Sequence, residues 1–395
     1  MKKTAYIAFL IVSALVVTAG CKKPYLPPVV AVSSNFLVVE GLINTGSNLQ
    51  DSTIIKLSRT VKLASSNSSN PELKATVKVE SDANVSYPLA ETGDGYYMAP
   101  GLNLSAANKY RLQIITADSR TYQSDFVQVK NSPPIDSVKY LVKSDGVQIN
   151  INTHDPANKT TYYRWSYDET WIIHSNYNSH EELITTPFDT IVFRPAADQI
   201  YRCWQSHIAN VIVLASTANL KQDVISQNEL TSVASTSEKI SDRYTILVKQ
   251  YALTGDAFKY WQQLKKNTEQ LGSIFDAQPS EIPGNIHCIT NPSEPVLGFM
   301  SAGTFSQSRI FIDNLDLPLW KATPAITGCT VDVFPYKDAD GIDEVRTFLY
   351  FGHEIPLDAI QPPGSPISGY TAALPKCVDC TLRGTKTQPS FWINR

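Results

Sequence analysis

The chain has 395 residues, with 34 Lys or Arg against 37 Asp or Glu and a net charge of −3. Only 18% of residues are charged and the basic ones are dispersed, so the clustered positive charge that nucleic-acid binding needs is missing. The length exceeds what one core usually supports, and 19 Tyr, 14 Phe and abundant Ser, Thr and Asn favour strands and turns over long helices.

Two lysines, Lys2 and Lys3, open the chain, followed by an uncharged apolar run from Ala5 to Val17 and small residues up to Cys21. This is the layout of a secretory signal, and the run falls short of the roughly 20 apolar residues a spanning helix needs. Thr18-Ala19-Gly20-Cys21 resembles the lipobox of bacterial lipoproteins, with Thr18 where a large aliphatic residue is usual. The expectation is a signal peptide over 1–20 and lipidation at Cys21, whose acyl chains anchor the body to a membrane at about 0.8 kcal/mol per buried methylene. The Pro- and Ser-rich stretch that follows reads as an extended tether, residues 21–35.

From Phe36 onward, short alternating runs are separated by turn residues: "FLVVEGLIN", "STIIKLSR", "ATVKVES", "GYYMA", "YRLQIIT" and "TYQSDFVQV". Apolar side chains recur at every second position and "TGDG" at 92–95 is a hairpin signal, which predicts an immunoglobulin-like β-sandwich over 36–131. "NSPPID" at 131–136 interrupts the pattern, because proline cannot donate to a sheet ladder, and marks a domain boundary. "SVKYLVK", "GVQININ" and "TTYYRWSYDETWII" then begin a second sandwich-like module, 135–395, with a mixed α+β C-terminal part. Within it, residues 254–272 predict one amphipathic helix: Thr254 caps it, Asp256 suits its positive end, Phe258, Trp261, Leu264 and Leu271 share a face, and Gly272 ends it. A hairpin is expected at 296–312, with the helix packed on it. The fold class is mainly β, tandem immunoglobulin/fibronectin-like β-sandwich modules followed by a mixed β region with one helix.

The C-x-x-C pair Cys377 and Cys380 is followed by "TLRGTKTQPSFW", which has no helical period, so the helix end that activates a redox thiol is not in place. Cys203, Cys288 and Cys329 are isolated, so the second close pair of a structural zinc site is lacking. In an exported chain, thiols tend to pair. Cys377 and Cys380 bridge each other or bridge outward, with Cys329 and Cys203 as outside partners and Cys288 as the free thiol. The histidines, His154, His174, His180, His207, His287 and His353, form no H-E-x-x-H pattern, since "HEEL" at 180–183 lacks its second histidine. Neither a G-x-S-x-G elbow nor a Gly-rich phosphate loop occurs, and no catalytic, cofactor or metal residue is assigned. A carboxylate pair for glycoside chemistry can come from distant positions and leaves no local mark.

The lipobox cysteine, "LVVEGLIN" at 37–44, "PPIDSV" at 133–138, "YYRW" at 162–165, the stretch 247–286, "NPSEPVLGFMSAGTFSQSRIFI" at 291–312 and "CVDCTLRGTKTQPSFW" at 377–392 together carry a family resemblance. The chain resembles the outer-membrane lipoprotein family of Bacteroidota catalogued as domain of unknown function 4249. The resemblance implies an anchored place at the outer membrane and, as partner, a TonB-dependent transporter. It implies a non-enzymatic binding or accessory role in nutrient capture or complex assembly, and no cofactor. The alternatives are a surface glycan or peptide hydrolase and a structural or adhesive envelope protein. Surface-displayed lipoproteins of that phylum usually carry acidic residues after the lipidated cysteine, whereas Lys22, Lys23 and Pro24 stand here, so both faces of the membrane remain open. The three matches to the phylum's O-glycosylation pattern, at Asp51, Asp136 and Asp189, are barely above chance.

Overall fold

The computed structural model describes residues 35–48, 51–61, 70–185, 190–269, 282–337, 340–351 and 354–394. The expected signal peptide, Cys21 and the tether up to residue 34, Leu271 of the helix face, the helix-ending Gly272 and His353 lie outside these residues.

Two β-sandwiches stand in tandem. In the first, Leu37–Asn44, Thr53–Arg59, Tyr96–Ala99 and Ser86–Gly93 lie side by side, and Ser86–Gly93 continues into Thr76–Ser81, Lys109–Ile115 and Thr121–Ser124. Period-two alternation sends Val77 and Val79 of one strand, and Tyr110, Leu112 and Ile114 of another, into a common core with Leu37, Ile55, Leu57 and Tyr97. Each such side chain contributes about 1.5–3 kcal/mol by leaving water. The turn at 92–95 closes a hairpin as expected, with Asp94 at φ 51° and Gly95 at φ 78°, the positive values a tight primed turn requires.

The first sandwich does not end at 131. Ile286–Cys288 pairs antiparallel with Thr121–Ser124, while Val296–Leu297 and Ala302–Gly303 pair parallel with Leu37–Asn44. Ile286, Cys288, Val296, Met300 and Ala302 complete its core. The hairpin expected at 296–312 is therefore corrected. Thr304 alone separates Ala302–Gly303 from the strand Phe305–Asp313, too little chain to reverse direction, so the backbone runs straight on. It leaves the first sandwich and pairs with Arg243–Leu253 in the second.

That second sandwich faces a sheet of Val224–Ala234, Gly146–His154 and Ile135–Lys143 against one of Arg202–Ile208, Tyr162–His174, Arg243–Leu253 and Phe305–Asp313. Val147, Ile149 and Ile151 meet Tyr163, Trp165, Tyr167, Tyr244 and Val248 between the two. The C-terminal part adds a sheet of Asp332–Pro335, Gly369–Ala373 and Ile355–Ile360, whose own core is small: Phe334, Val345, Leu349, Tyr370 and Ala372. Covalent staples compensate, as small modules commonly require. Cys380 bridges to Cys203 in the second core and Cys377 bridges to Cys329, so both cysteines of the C-x-x-C pair reach outward. Cys288 is free and buried.

The helix Gly255–Glu269 starts where expected, with the Thr254 hydroxyl accepting the Ala257 amide at 3.2 Å. It packs on Tyr162–His174, Val213–Ser216 and Arg243–Leu253 rather than on a hairpin. Ala257 is its one fully buried residue among those described, and its aromatic face is left half-covered.

Candidate functional site

One flank of the helix rests on the second sandwich and the other faces the first across two cavities. Phe258 stacks on Tyr162 with ring centroids 4.7 Å apart, and Tyr260 meets Phe299 at 5.2 Å. Tyr260 and Phe299 border both cavities. The first, about 860 Å³, has mixed charge from Lys109, Asp125, Lys130, Asp256 and Lys259. The second, about 800 Å³, is lined chiefly by apolar groups, among them Leu42, Ile54, Trp261, Leu264, Leu297 and Phe305. Both volumes fall in the range of small-molecule sites, roughly 300–1,000 Å³.

Sheet register builds the floor of the apolar cavity. Alternation along Tyr162–His174 buries Tyr163 and Trp165 in the core and turns Arg164 to the opposite face. Arg164 lies directly across from Tyr251, and Tyr251 directly across from Phe305, so the three form a row over three strands. The Tyr251 and Phe305 rings are 5.8 Å apart. The helix adds Trp261 above the row. The guanidinium carbon of Arg164 sits 4.2 Å from the ring centroid of Tyr251 and 4.2 Å from that of Trp261. Both faces of the cation are thus covered by aromatic rings, an arrangement the planar, weakly hydrated guanidinium favours over lysine.

Among the described residues no anion is paired with this cation. Its Nε is buried without an acceptor, and no acidic side chain among the described residues pairs with it. Burial lowers its pKa, opposed by Tyr251. The other charged groups of the cavity are matched: Lys249 pairs with Asp168 at 2.8 Å, and Glu40 approaches Lys56 at 3.7 Å. Burial also raises the pKa of the Tyr260 hydroxyl, with a smaller push from Glu40. An uncompensated buried charge costs free energy, so the site is poised to accept one.

A second polar cluster looks chemical and is structural. Glu169 is buried within the second sandwich and accepts from Tyr244 Oη at 2.8 Å and Lys239 Nζ at 2.7 Å, with His207 Nδ1 at 3.3 Å. Burial, followed by Glu169, pushes the Tyr244 hydroxyl well above its ordinary range. The carboxylate is fully partnered and lines neither cavity. His180 pairs with Asp358 at 2.7 Å, and the described residues hold no group of three metal-ligating side chains.

Sequence reasoning identified two helix residues that wall the cavity, Trp261 and Leu264, together with Phe258, which packs on Tyr162 instead. It missed Arg164, Tyr251, Phe299 and Phe305. The one local signal was an arginine set among aromatics in "YYRW"; its neighbours come from strand pairing across long separations. No curated protein matches the chain. The model of the family described as Domain of unknown function (DUF4249) matches residues 22–309, a span that holds the first sandwich, the helix and the second sandwich up to the middle of Phe305–Asp313, and stops short of the disulfide-stapled C-terminal part. That span is well over half of the sequence, and the chain belongs to this family.

Proposed function

We propose that the protein is a lipid-anchored outer-membrane component that binds a ligand or partner without transforming it, working beside a TonB-dependent transporter in nutrient capture or complex assembly. The binding part rests on one observation, the preformed aromatic cavity of about 800 Å³ between the two sandwiches and the helix. The anchor rests on the lipobox-like Thr18-Ala19-Gly20-Cys21, and the transporter on the company that the family resemblance implies.

The test is a pull-down of the tagged full-length chain from detergent-solubilised outer membrane, with partners identified by mass spectrometry. A TonB-dependent barrel recovered in near-equal amount is the expected result. Recovery of the protein alone overturns a stable transporter complex and moves the reading to a structural or adhesive envelope role. In the same cells, Cys21→Ser behind an ordinary cleavable signal peptide in place of residues 1–20 should move the protein from the membrane to the soluble fraction, and protease added to intact cells sorts an outward from a periplasmic body.

A further inference from the structure

We propose that the apolar cavity is the binding site of a small organic monoanion, an apolar body bearing one carboxylate, with Arg164 as the residue that receives the carboxylate. Four observations lead there. First, Arg164 is the cavity's one cation without an acidic partner among the described residues, since Lys249 is taken by Asp168. Second, Tyr251 and Trp261 cover both faces of its guanidinium at 4.2 Å, so a ligand can reach it only in the plane, along the edge where paired N–H groups match the two oxygens of a carboxylate. Third, Leu42, Ile54, Leu297 and Phe305 offer the rest of the ligand no charge to meet, which selects an apolar body. Fourth, the cavity's other charged groups, Lys249 and Glu40, are already paired, so among the described residues it offers no second free cation to a di- or polyanion such as a nucleotide or polyphosphate.

The rings also explain how the guanidinium is accommodated inside the protein. Two aromatic faces partly replace the water that burial removes, and a carboxylate supplies the acceptor that Nε lacks. Binding thus adds a charge-assisted contact in a low-dielectric setting where it is strong. The proposal stands apart from the transporter: loss of the barrel in the pull-down leaves it intact, and failure to bind a monoanion leaves the pull-down intact.

The experiment uses two fluorescent probes of nearly one shape, 1-pyrenebutyrate and its neutral alcohol 1-pyrenebutanol, titrated into the mature chain carrying Cys21→Ser and exported behind an ordinary cleavable signal peptide in place of residues 1–20, so that no detergent competes. The expected result is one saturable site that prefers the carboxylate to the alcohol by tenfold or more. Arg164→Met should lower carboxylate affinity about tenfold or more while leaving the alcohol within twofold. Leu297→Trp, at a half-exposed position that lines the cavity, should weaken both probes by filling the space. A preference below threefold in the parent chain, or equal losses of both probes in Arg164→Met, overturns the proposal. Where Arg164→Met fails to fold, judged by its thermal transition, the parent's preference and the Leu297→Trp losses still decide.

Discussion

Replacing Glu294 by glutamine should loosen the segment that closes the first sandwich. Glu294 lies on the returning stretch between Cys288 and Val296, with a side chain only 7% exposed. It accepts from Tyr122 Oη at 2.7 Å, stands 3.5 Å from Arg59 Nη1 and pairs with Arg120 at 3.0 Å, all on the body of that sandwich. Burial works against the Arg59 charge, yet Glu72 and Tyr122 hold its pKa well above the ordinary value, so this arginine is a fixed cation. The glutamine keeps an acceptor for Tyr122 and removes the charge facing both arginines. Losing a charge-assisted buried bond costs about 1.5–3 kcal/mol and the half-exposed Arg120 pair up to about 1, giving about 2–4 kcal/mol. Glu294→Ala also strands the Tyr122 hydroxyl and should reach about 3–5 kcal/mol. At about 4 °C per kcal/mol for a domain of this size, Glu294→Gln should lower the first thermal transition by about 8–16 °C. Hydrogen exchange should accelerate at Thr121–Ser124 and Ile286–Cys288 together, because these strands pair with each other. A transition within about 2 °C of the parent, with exchange unchanged, would refute the idea that this carboxylate clamps the return.

Three further outcomes follow from local geometry. Gly298 has φ +135°, and a Cβ there would stand 2.2 Å from the Val39 carbonyl oxygen, so Gly298→Ala should cost well over 1 kcal/mol in urea unfolding; an unchanged midpoint would contradict it. Removing the Cys203–Cys380 bridge, which spans 177 residues, should cost about 5 kcal/mol on loop-closure grounds against about 4 for Cys329–Cys377, which spans 48. Limited proteolysis of the two double Cys→Ala variants should rank them in that order, and the reverse order would mean that the small C-terminal core depends more on its own staple. His174 has its pKa lowered from 6.5, first by burial and with Arg202 adding, while Asp242 and Glu238 oppose. The unfolded chain then binds the proton first, so stability falls as pH drops below about 6.5 and through the lower folded value. His174→Phe should flatten that part of the melting-temperature profile, and parallel profiles from pH 8 to 5 would show that His174 plays no part.

What the sequence disclosed, and what it did not, divides by the range of the interaction. Val77 and Val79, or Tyr110, Leu112 and Ile114, announce a half-buried strand because the period of two is a property of the strand itself. The Thr254 cap is equally local. Which cysteines bridge was legible because few thiols were available, though whether Cys377 and Cys380 join each other or reach outward, and to which partner, was not. The parallel pairing of Val296 with Leu37 has no local mark, since alternation identifies a strand and says nothing about its neighbour. Arg164 shows the same limit. It departs visibly from the aromatic pattern around it, but the Tyr251 opposite it is fixed by register and Trp261 by the docking of the helix.

The cavity is built from both sandwiches, with Leu42 and Leu297 on one side and Arg164, Tyr251 and Phe305 on the other, so its width depends on how the two are joined. Among the described residues the chain crosses from the first to the second at 130–135 and again at 303–305, and these two crossings run alongside each other. Lys130 N donates to Ala302 O at 2.8 Å, Ser132 N to Thr304 O at 3.3 Å, and Ser306 Oγ to Pro133 O at 2.7 Å. Gln250, fully buried, fastens this double crossing to the second core. Its Oε1 accepts from Trp165 Nε1 at 2.9 Å, and its Nε2 donates to Pro133 O at 2.9 Å and Thr153 Oγ1 at 3.1 Å. Gln250→Met keeps the volume and deletes these bonds. Pro133 retains Ser306, so the main loss is the stranded indole N–H of Trp165, about 1–3 kcal/mol. Gln250 and Tyr251 point to opposite faces of one strand, and the variant therefore leaves every cavity side chain in place. If the junction sets the cavity, Gln250→Met should weaken 1-pyrenebutyrate several-fold with no change in its preference over the alcohol. A variant that is destabilised yet binds as the parent does would mean that the cavity is held by the helix and the sheet alone, and that the double crossing serves stability only.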